Sequence, residues 1–213
     1  MNAIQRTLAT WWLNRAASVA VLFDRKDRAI DDLRRIIEIK PRDEVARAAL
    51  GNLLAESGDP TSALREFQSI VEQNPANAEA WFNLGYLHDQ RDELEEAERT
   101  FRKSVELRPS IDRAWYGLGL VLVRQGRLSE AISAFKKNIK LQPFSPYGYY
   151  QLGMTYHHLG MSPEAQKTYE ELKKFEPKYA ATLKRDLERT VPQAVNRSSE
   201  VASTQEVSAA NST

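Results

Sequence analysis

The chain has 213 residues, 42% of them hydrophobic and 28% charged, and no cysteine. Disulfides, thiol catalysis and cysteine-ligated metals are therefore excluded, and the length suffices to bury a core without such staples. Thirty basic residues against 29 acidic ones leave a net charge of +1, which argues against a nucleic-acid-binding surface.

The first segment, 1–43, holds the best apolar run, Ala16 to Phe23. It is far shorter than the ~20 residues of a membrane-spanning helix. Asp24-Arg25-Lys26-Asp27 follows it without a small-residue cleavage site, so no removed signal peptide is expected. The expectation is a soluble, cytoplasmic protein with no transmembrane segment. Leu13, Ala16, Ala17 and Ala20 suggest one helix, and Asp27 to Lys40 a second, more regular one. Trp11 and Trp12, flanked by Arg6 and Arg15, belong either to the first helix of a degenerate repeat or to a segment that touches a membrane surface or a second copy. These two tryptophans are the self-association candidates.

From Glu44 onward the chain is periodic. Prolines stand at 41, 75, 109, 143 and 177, glycines at 51, 85, 119 and 153, and alanines at 29, 63, 97, 131 and 165, always 34 apart. Leu33, Phe67, Phe101, Phe135 and Tyr169 keep the same period. Such spacing marks an array of supersecondary units. The blocks run over about 44–77, 78–111, 112–145 and 146–179, within a repeat region of 44–177. Each divides into two helical patterns. Trp81, Leu84, Gly85 and His88 share one helix face, and Ala97, Phe101 and Ser104 share another on the next helix. Turns between paired helices are marked by Gly58, Gly126 and Gly160, with Asp59-Pro60 and Ser162-Pro163 as helix-opening pairs and Ser145-Pro146 opening the last block. A mid-helix glycine costs about 1 kcal/mol relative to alanine. Four at one register imply close helix approach, with the alanine column expected to permit it from the other side. Residues 178–190 read as a capping helix with Tyr179, Leu183 and Leu187 on one face, and 191–213 as a disordered Ser/Thr-rich tail.

Trp115, Leu118, Gly119, Leu122, Ala131, Phe135 and Pro143 carry a pattern that resembles the tetratricopeptide repeat, as do Tyr149, Leu152, Gly153, Tyr156, Ala165, Tyr169 and Pro177. The resemblance covers Glu44 to Tyr179 and extends weakly to Thr10. It implies an all-α, right-handed solenoid of antiparallel helix pairs: four clear repeats, one degenerate N-terminal repeat and a C-terminal cap. It further implies a non-catalytic adaptor or assembly scaffold, a protein or peptide segment as partner, no cofactor and no metal.

In this family, residues one and five beyond each Trp-type position line the concave groove. Here they form the ladders Asn14, Ala48, Phe82, Tyr116, Tyr150 and Ser18, Asn52, Tyr86, Leu120, Met154. Flanking columns are Arg15, Ala49, Asn83, Gly117, Gln151, then Trp11, Val45, Glu79, Arg113, Tyr147, then Val21, Ala55, Asp89, Val123, His157. The candidate partner-binding residues are Asn52, Phe82, Asn83, Tyr86, Arg113, Tyr116, Tyr147, Tyr150, Met154 and His157. Aromatic anchors dominate interface energies, asparagine amides suit an extended backbone, and Arg113 suits a carboxylate. The other reading of these rings is packing between neighbouring helices. Asn52 and Asn83 match a carboxylate clamp of the kind that holds chaperone C-termini, but Ala48 and Gly117 stand where two of its cations belong, so that function is not expected.

His157 and His158 are adjacent and do not share a helix face, and His88 takes a packing position. Glu95-Glu96 and Glu170-Glu171 read as solvated helix surface. No phosphate-cradling loop and no nucleophile–base motif is present, so the chain is not expected to be an enzyme. Alternative readings are a self-assembling or membrane-peripheral scaffold driven by the N-terminal segment, and a non-catalytic subunit of an enzyme complex. The tail could also fold back onto the groove.

Overall fold

The computed structural model describes residues 3–23 and 25–189; the readings made for 191–213, including occupation of the groove by the tail, lie outside the described residues. Those residues form eleven helices and no strand. They divide between Pro109 and Ser110 into two compact units.

The N-terminal unit holds α1 (Ala3–Leu22), α2 (Lys26–Ile39), α3 (Glu44–Glu56), α4 (Pro60–Gln73), α5 (Ala78–Gln90) and α6 (Leu94–Leu107). The C-terminal unit holds α7 (Asp112–Arg124), α8 (Leu128–Leu141), α9 (Pro146–His158), α10 (Ser162–Lys173) and α11 (Pro177–Arg189). Within each unit consecutive helices pack as pairs, and each pair packs on the next. α1 begins seven residues ahead of Thr10, so the degenerate repeat has an extended first helix.

Second helices are amphipathic in the simplest way. On α6, Ala97, Thr100, Phe101, Ser104 and Val105 are buried at i, i+3, i+4, i+7 and i+8. Their helix starts are unevenly capped. Asp59 accepts a bond from the backbone N–H of Ser62, with Pro60 in the first turn. Ser162 does not cap α10: the helix begins at Ser162 itself, with Met161 as the flanking residue. Ser145 makes no capping bond either, although Pro146 opens α9. Among first helices, Asp43 and Asn77 cap α3 and α5 through the N–H groups of Ala46 and Ala80. The turns inside the four later pairs hold a left-handed residue. Gly58, Gly126 and Gly160 supply it with φ of 85°, 75° and 74°, and Asp92 takes the same place with φ of 63°.

The mid-helix glycines meet rings rather than alanines. A Cβ on Gly51, Gly85 or Gly119 would stand 2.8, 2.7 or 2.5 Å from a ring carbon of Phe67, Phe101 or Phe135, respectively. The expectation that the alanine column faces them is corrected accordingly. Each ring lies across the glycine's bare backbone, and the three phenylalanines are almost fully buried, each stabilising its pair by about 2–3 kcal/mol. Gly153 breaks the series, since the nearest atom to its missing Cβ is Leu183 Cδ2 of α11, at 2.9 Å. α11 thus seats on α9 through the same bare backbone that phenylalanine uses elsewhere.

The period-34 prolines have a second role besides ending helices. Arg47 Nε donates to the Pro41 carbonyl at 3.1 Å, Trp81 Nε1 to that of Pro75 at 2.9 Å, and Tyr149 Oη to that of Pro143 at 3.2 Å. Three chemically different side chains at one register thus tie each first helix to the loop before it. Polar residues are also built into the core. Ser104 Oγ and Asn138 Nδ2 donate to the carbonyls of Ala78 and Asp112, 26 residues earlier, at 2.9 and 3.0 Å.

Gly119→Ala is expected to lower stability by about 1–3 kcal/mol through overpacking against the Phe135 ring, outweighing the roughly 1 kcal/mol of helix propensity gained. Gly153→Ala should cost less, because the end of the Leu183 side chain can yield. Urea unfolding followed by circular dichroism separates the two.

Candidate functional site

The face of the first helices turned away from their partner helices differs between the units. In the C-terminal unit it is filled with rings. Tyr116 is half-buried, its ring 6.0 Å from Phe135. Tyr147 and Tyr150 approach Tyr179 of α11 edge-on at 5.5 and 6.0 Å. Tyr150 Oη donates to Asp186 at 2.8 Å. Burial, the bond to Asp186 and that carboxylate's charge push the Tyr150 phenol up to about 12. In turn the Tyr150 hydroxyl holds the Asp186 carboxyl below its ordinary range. Burial also raises Tyr116 and Tyr149. Met154 packs on the cluster of Leu172, Ala180 and Leu183.

Several predicted binding residues are therefore internal. Phe82 is only 9% exposed, with its ring 6.0 Å from Phe101. His157 is likewise 9% exposed, because α9 packs against α7, α8, α10 and α11. Neither presents a surface to a ligand. Tyr116, Tyr150 and Met154 spend most of their area on neighbouring helices, as the packing reading of the rings requires. Tyr86, Arg113 and Tyr147 remain exposed, with Tyr147 resting on Tyr179.

In the N-terminal unit the corresponding face is open. One hollow of about 330 Å³ lies between α1 and α3, with Asn14, Ser18, Val21, Val45, Ala49 and Asn52 among its lining. A second, of about 450 Å³, lies between α3 and α5, floored by Ala48, Ala80, Phe67 and Ile70 and edged by Asn83. Val45, 80% exposed, lines both, so the two hollows adjoin there and make up a trough in two parts. Small side chains leave the space that tyrosines occupy in the other unit.

Glu44 and Arg108, at the rim, lie outside the columns read from sequence. Glu44 accepts from Asn74 at 3.0 Å and from Asn77 at 2.7 Å, and Arg108 pairs at 3.0 Å with Glu79, which does belong to a column. Asn74 and Arg108 directly precede the period-34 prolines Pro75 and Pro109. The described asparagines divide cleanly. Asn74, Asn77 and Asn138 bond within the chain, whereas among the described residues the side-chain amides of Asn14, Asn52 and Asn83 find no partner and line the trough. No group of three or more His, Asp or Glu among the described residues is placed to hold a metal. No helix among them is long and apolar enough to cross a membrane.

Two family models, both described as tetratricopeptide repeat, match residues 48–110 and 90–146 and residues 134–167, together more than half the chain. The chain belongs to the tetratricopeptide-repeat family. Among solved structures, the MamA protein is 25% identical with a TM-score of 0.73, over 81% of this chain and 94% of that one. MamA from residue 41 onward, from Desulfovibrio magneticus RS-1, is 19% identical with a TM-score of 0.73, over 79% and 96%. YrrB, described as a TPR protein with an unusual peptide-binding site, is 20% identical with a TM-score of 0.67, over 79% and 88%. The last two likenesses are of fold. No curated protein matches significantly.

The tetratricopeptide array predicts a late-titrating phenol. Tyrosinate absorbance should show one group ionising near pH 12, and Asp186→Asn should bring it toward the ordinary value of 10. Because the folded phenol is raised above its unfolded value, its contribution is complete below pH 10 and is lost as pH climbs through 12. Wild-type stability should fall across that interval more steeply than that of Asp186→Asn.

Proposed function

We propose that this chain is a non-catalytic scaffold that holds an extended segment of a partner protein in the trough of its N-terminal unit. The fold is that of a protein-interaction module, and the peptide-binding site ascribed to YrrB is in keeping with this use of it. The observation that carries the reading is the set of three unpartnered amides on α1, α3 and α5, at Asn14, Asn52 and Asn83, along a trough lined in part by Ser18, Ala48, Ala49 and Ala80.

An extended peptide carries alternating N–H and C=O groups along its length, and each asparagine amide offers both a donor and an acceptor. Ser18, Ala48 and Ala49 let a main chain approach the helices closely. Val21 and Val45 offer apolar contact for small side chains of the bound segment. Phe67, the ring in its floor, is only 1% exposed and offers little anchoring surface, so affinity comes from backbone pairing and shape, with a modest apolar contribution. Tyr86, half exposed on α5, supplies an aromatic edge for a larger side chain.

A random-peptide display library selected on the intact chain tests this. Asn52→Ala with Asn83→Ala should weaken the selected peptides about tenfold or more, at roughly 1 kcal/mol per amide. The melting temperature should stay unchanged, since neither side chain bonds within the fold. Peptides that bind the double variant equally well, or that are lost only with Tyr147→Ala, would place recognition elsewhere.

A further inference from the structure

Among the described residues, α1 carries an apolar face that no other helix covers. Leu8, Trp11, Trp12, Val19, Leu22 and Phe23 of α1 and its following turn are between 51% and 82% exposed. At about 100° per residue these six fall within a sector of roughly 120°. Thr10, Ala17 and Ala20, on the opposite side of α1, are buried. Exposed apolar surface of this size is rare on an isolated soluble domain.

The face is not shaped for another repeat. Trp12 holds the register that Ala46, Ala80 and Gly148 hold in later repeats, where a small residue lets the preceding helix come close. Gly148, for example, lies directly against Asn138 and Ile139 of α8. An indole at that register keeps a stacked helix at a distance. A symmetric pairing of two copies is also disfavoured. Arg15 stands at the middle of the stripe, with its guanidinium 5.2 Å from the Trp11 ring centroid. A two-fold contact through the stripe would set Arg15 against its own copy, away from water, and α1 contains no carboxylate to compensate.

The charges instead complement an anionic surface. From Met1 to Arg28, Arg6, Arg15, Arg25, Lys26 and Arg28 stand against Asp24 and Asp27 alone, in a chain whose net charge is only +1. Beside the stripe, a hollow of about 130 Å³ has Ala16, Val19, Ala20 and Phe23 for its floor and Arg25 and Arg28 at its edge. Two guanidiniums over an apolar floor suit a lipid phosphate above its acyl chains. Tryptophans at the level of the headgroups complete the arrangement. We infer that α1 lies in the interface of an anionic bilayer, burying Leu8, Trp12, Val19, Leu22 and Phe23 and placing Arg15, Arg25 and Arg28 against lipid phosphates.

The test is sedimentation of the full chain with vesicles of phosphatidylcholine alone and of phosphatidylcholine mixed with phosphatidylglycerol. Binding should be at least ~tenfold stronger to the anionic vesicles and should fall at high salt. Leu22→Asp with Phe23→Asp should abolish it, and Arg15→Glu should weaken it severalfold. All three side chains are exposed, so circular dichroism should be unchanged. The emission of Trp11 and Trp12 should shift to the blue on adding anionic vesicles. No sedimentation with either vesicle, or equal binding by the double variant, would overturn the inference. A dimer in solution that Leu22→Asp with Phe23→Asp dissociates would overturn it in favour of a second copy.

Discussion

Everything in this fold depends on how closely the two helices of a pair can approach, and that distance is set by a ring lying on bare backbone. At Gly51, Gly85 and Gly119 the absent Cβ is replaced by Phe67, Phe101 and Phe135. The same register recurs every 34 residues, so the pairs α3–α4, α5–α6 and α7–α8 share this contact. The last repeat obeys the same constraint with another partner. Leu183 of α11 takes the place over Gly153, so α11 docks as a single further helix, and its outward residues Lys178, Lys184 and Arg185 are exposed and cationic.

The two units use equivalent positions for opposite ends. Where Tyr116 and Tyr150 stand, the chain buries rings and bonds a phenol to Asp186. Large side chains there add packing area and remove accessible surface. Where Asn14, Ala48, Ala49 and Asn52 stand, little area is buried and a trough remains. Its three amides are left to water or to a ligand, while chemically identical amides at Asn74, Asn77 and Asn138 are consumed in holding loops and helix starts together. The open end of α1 is a third kind of surface, apolar and cationic together, which fits neither a helix partner nor a peptide groove.

Much of this was legible in the amino-acid sequence. The repeat period, the helix pairs and the special register of the glycines follow from residue spacing alone, since helical periodicity is a local property. That Asn52 and Asn83 line the hollows follows in the same way, because a residue's angle on its own helix decides which way it faces. Angle alone does not say what packs opposite a side chain. Phe82 and Tyr150 have the same angular position as Asn14, yet their rings are taken up by Phe101 and by Tyr179 with Asp186. Nor does spacing show that phenylalanines, rather than the alanine column, lie over the glycines.

The sequence by itself determined the family, the helical repeat and which side chains could point toward a groove, for these depend on periods of 3.6 and 34 residues. Only the tertiary structure decided which of those side chains are still available to a partner. Availability depends on what lies across the space from each one. For Tyr150 that is a residue 36 positions further along, and for Phe82 it is the Phe101 ring of the next helix.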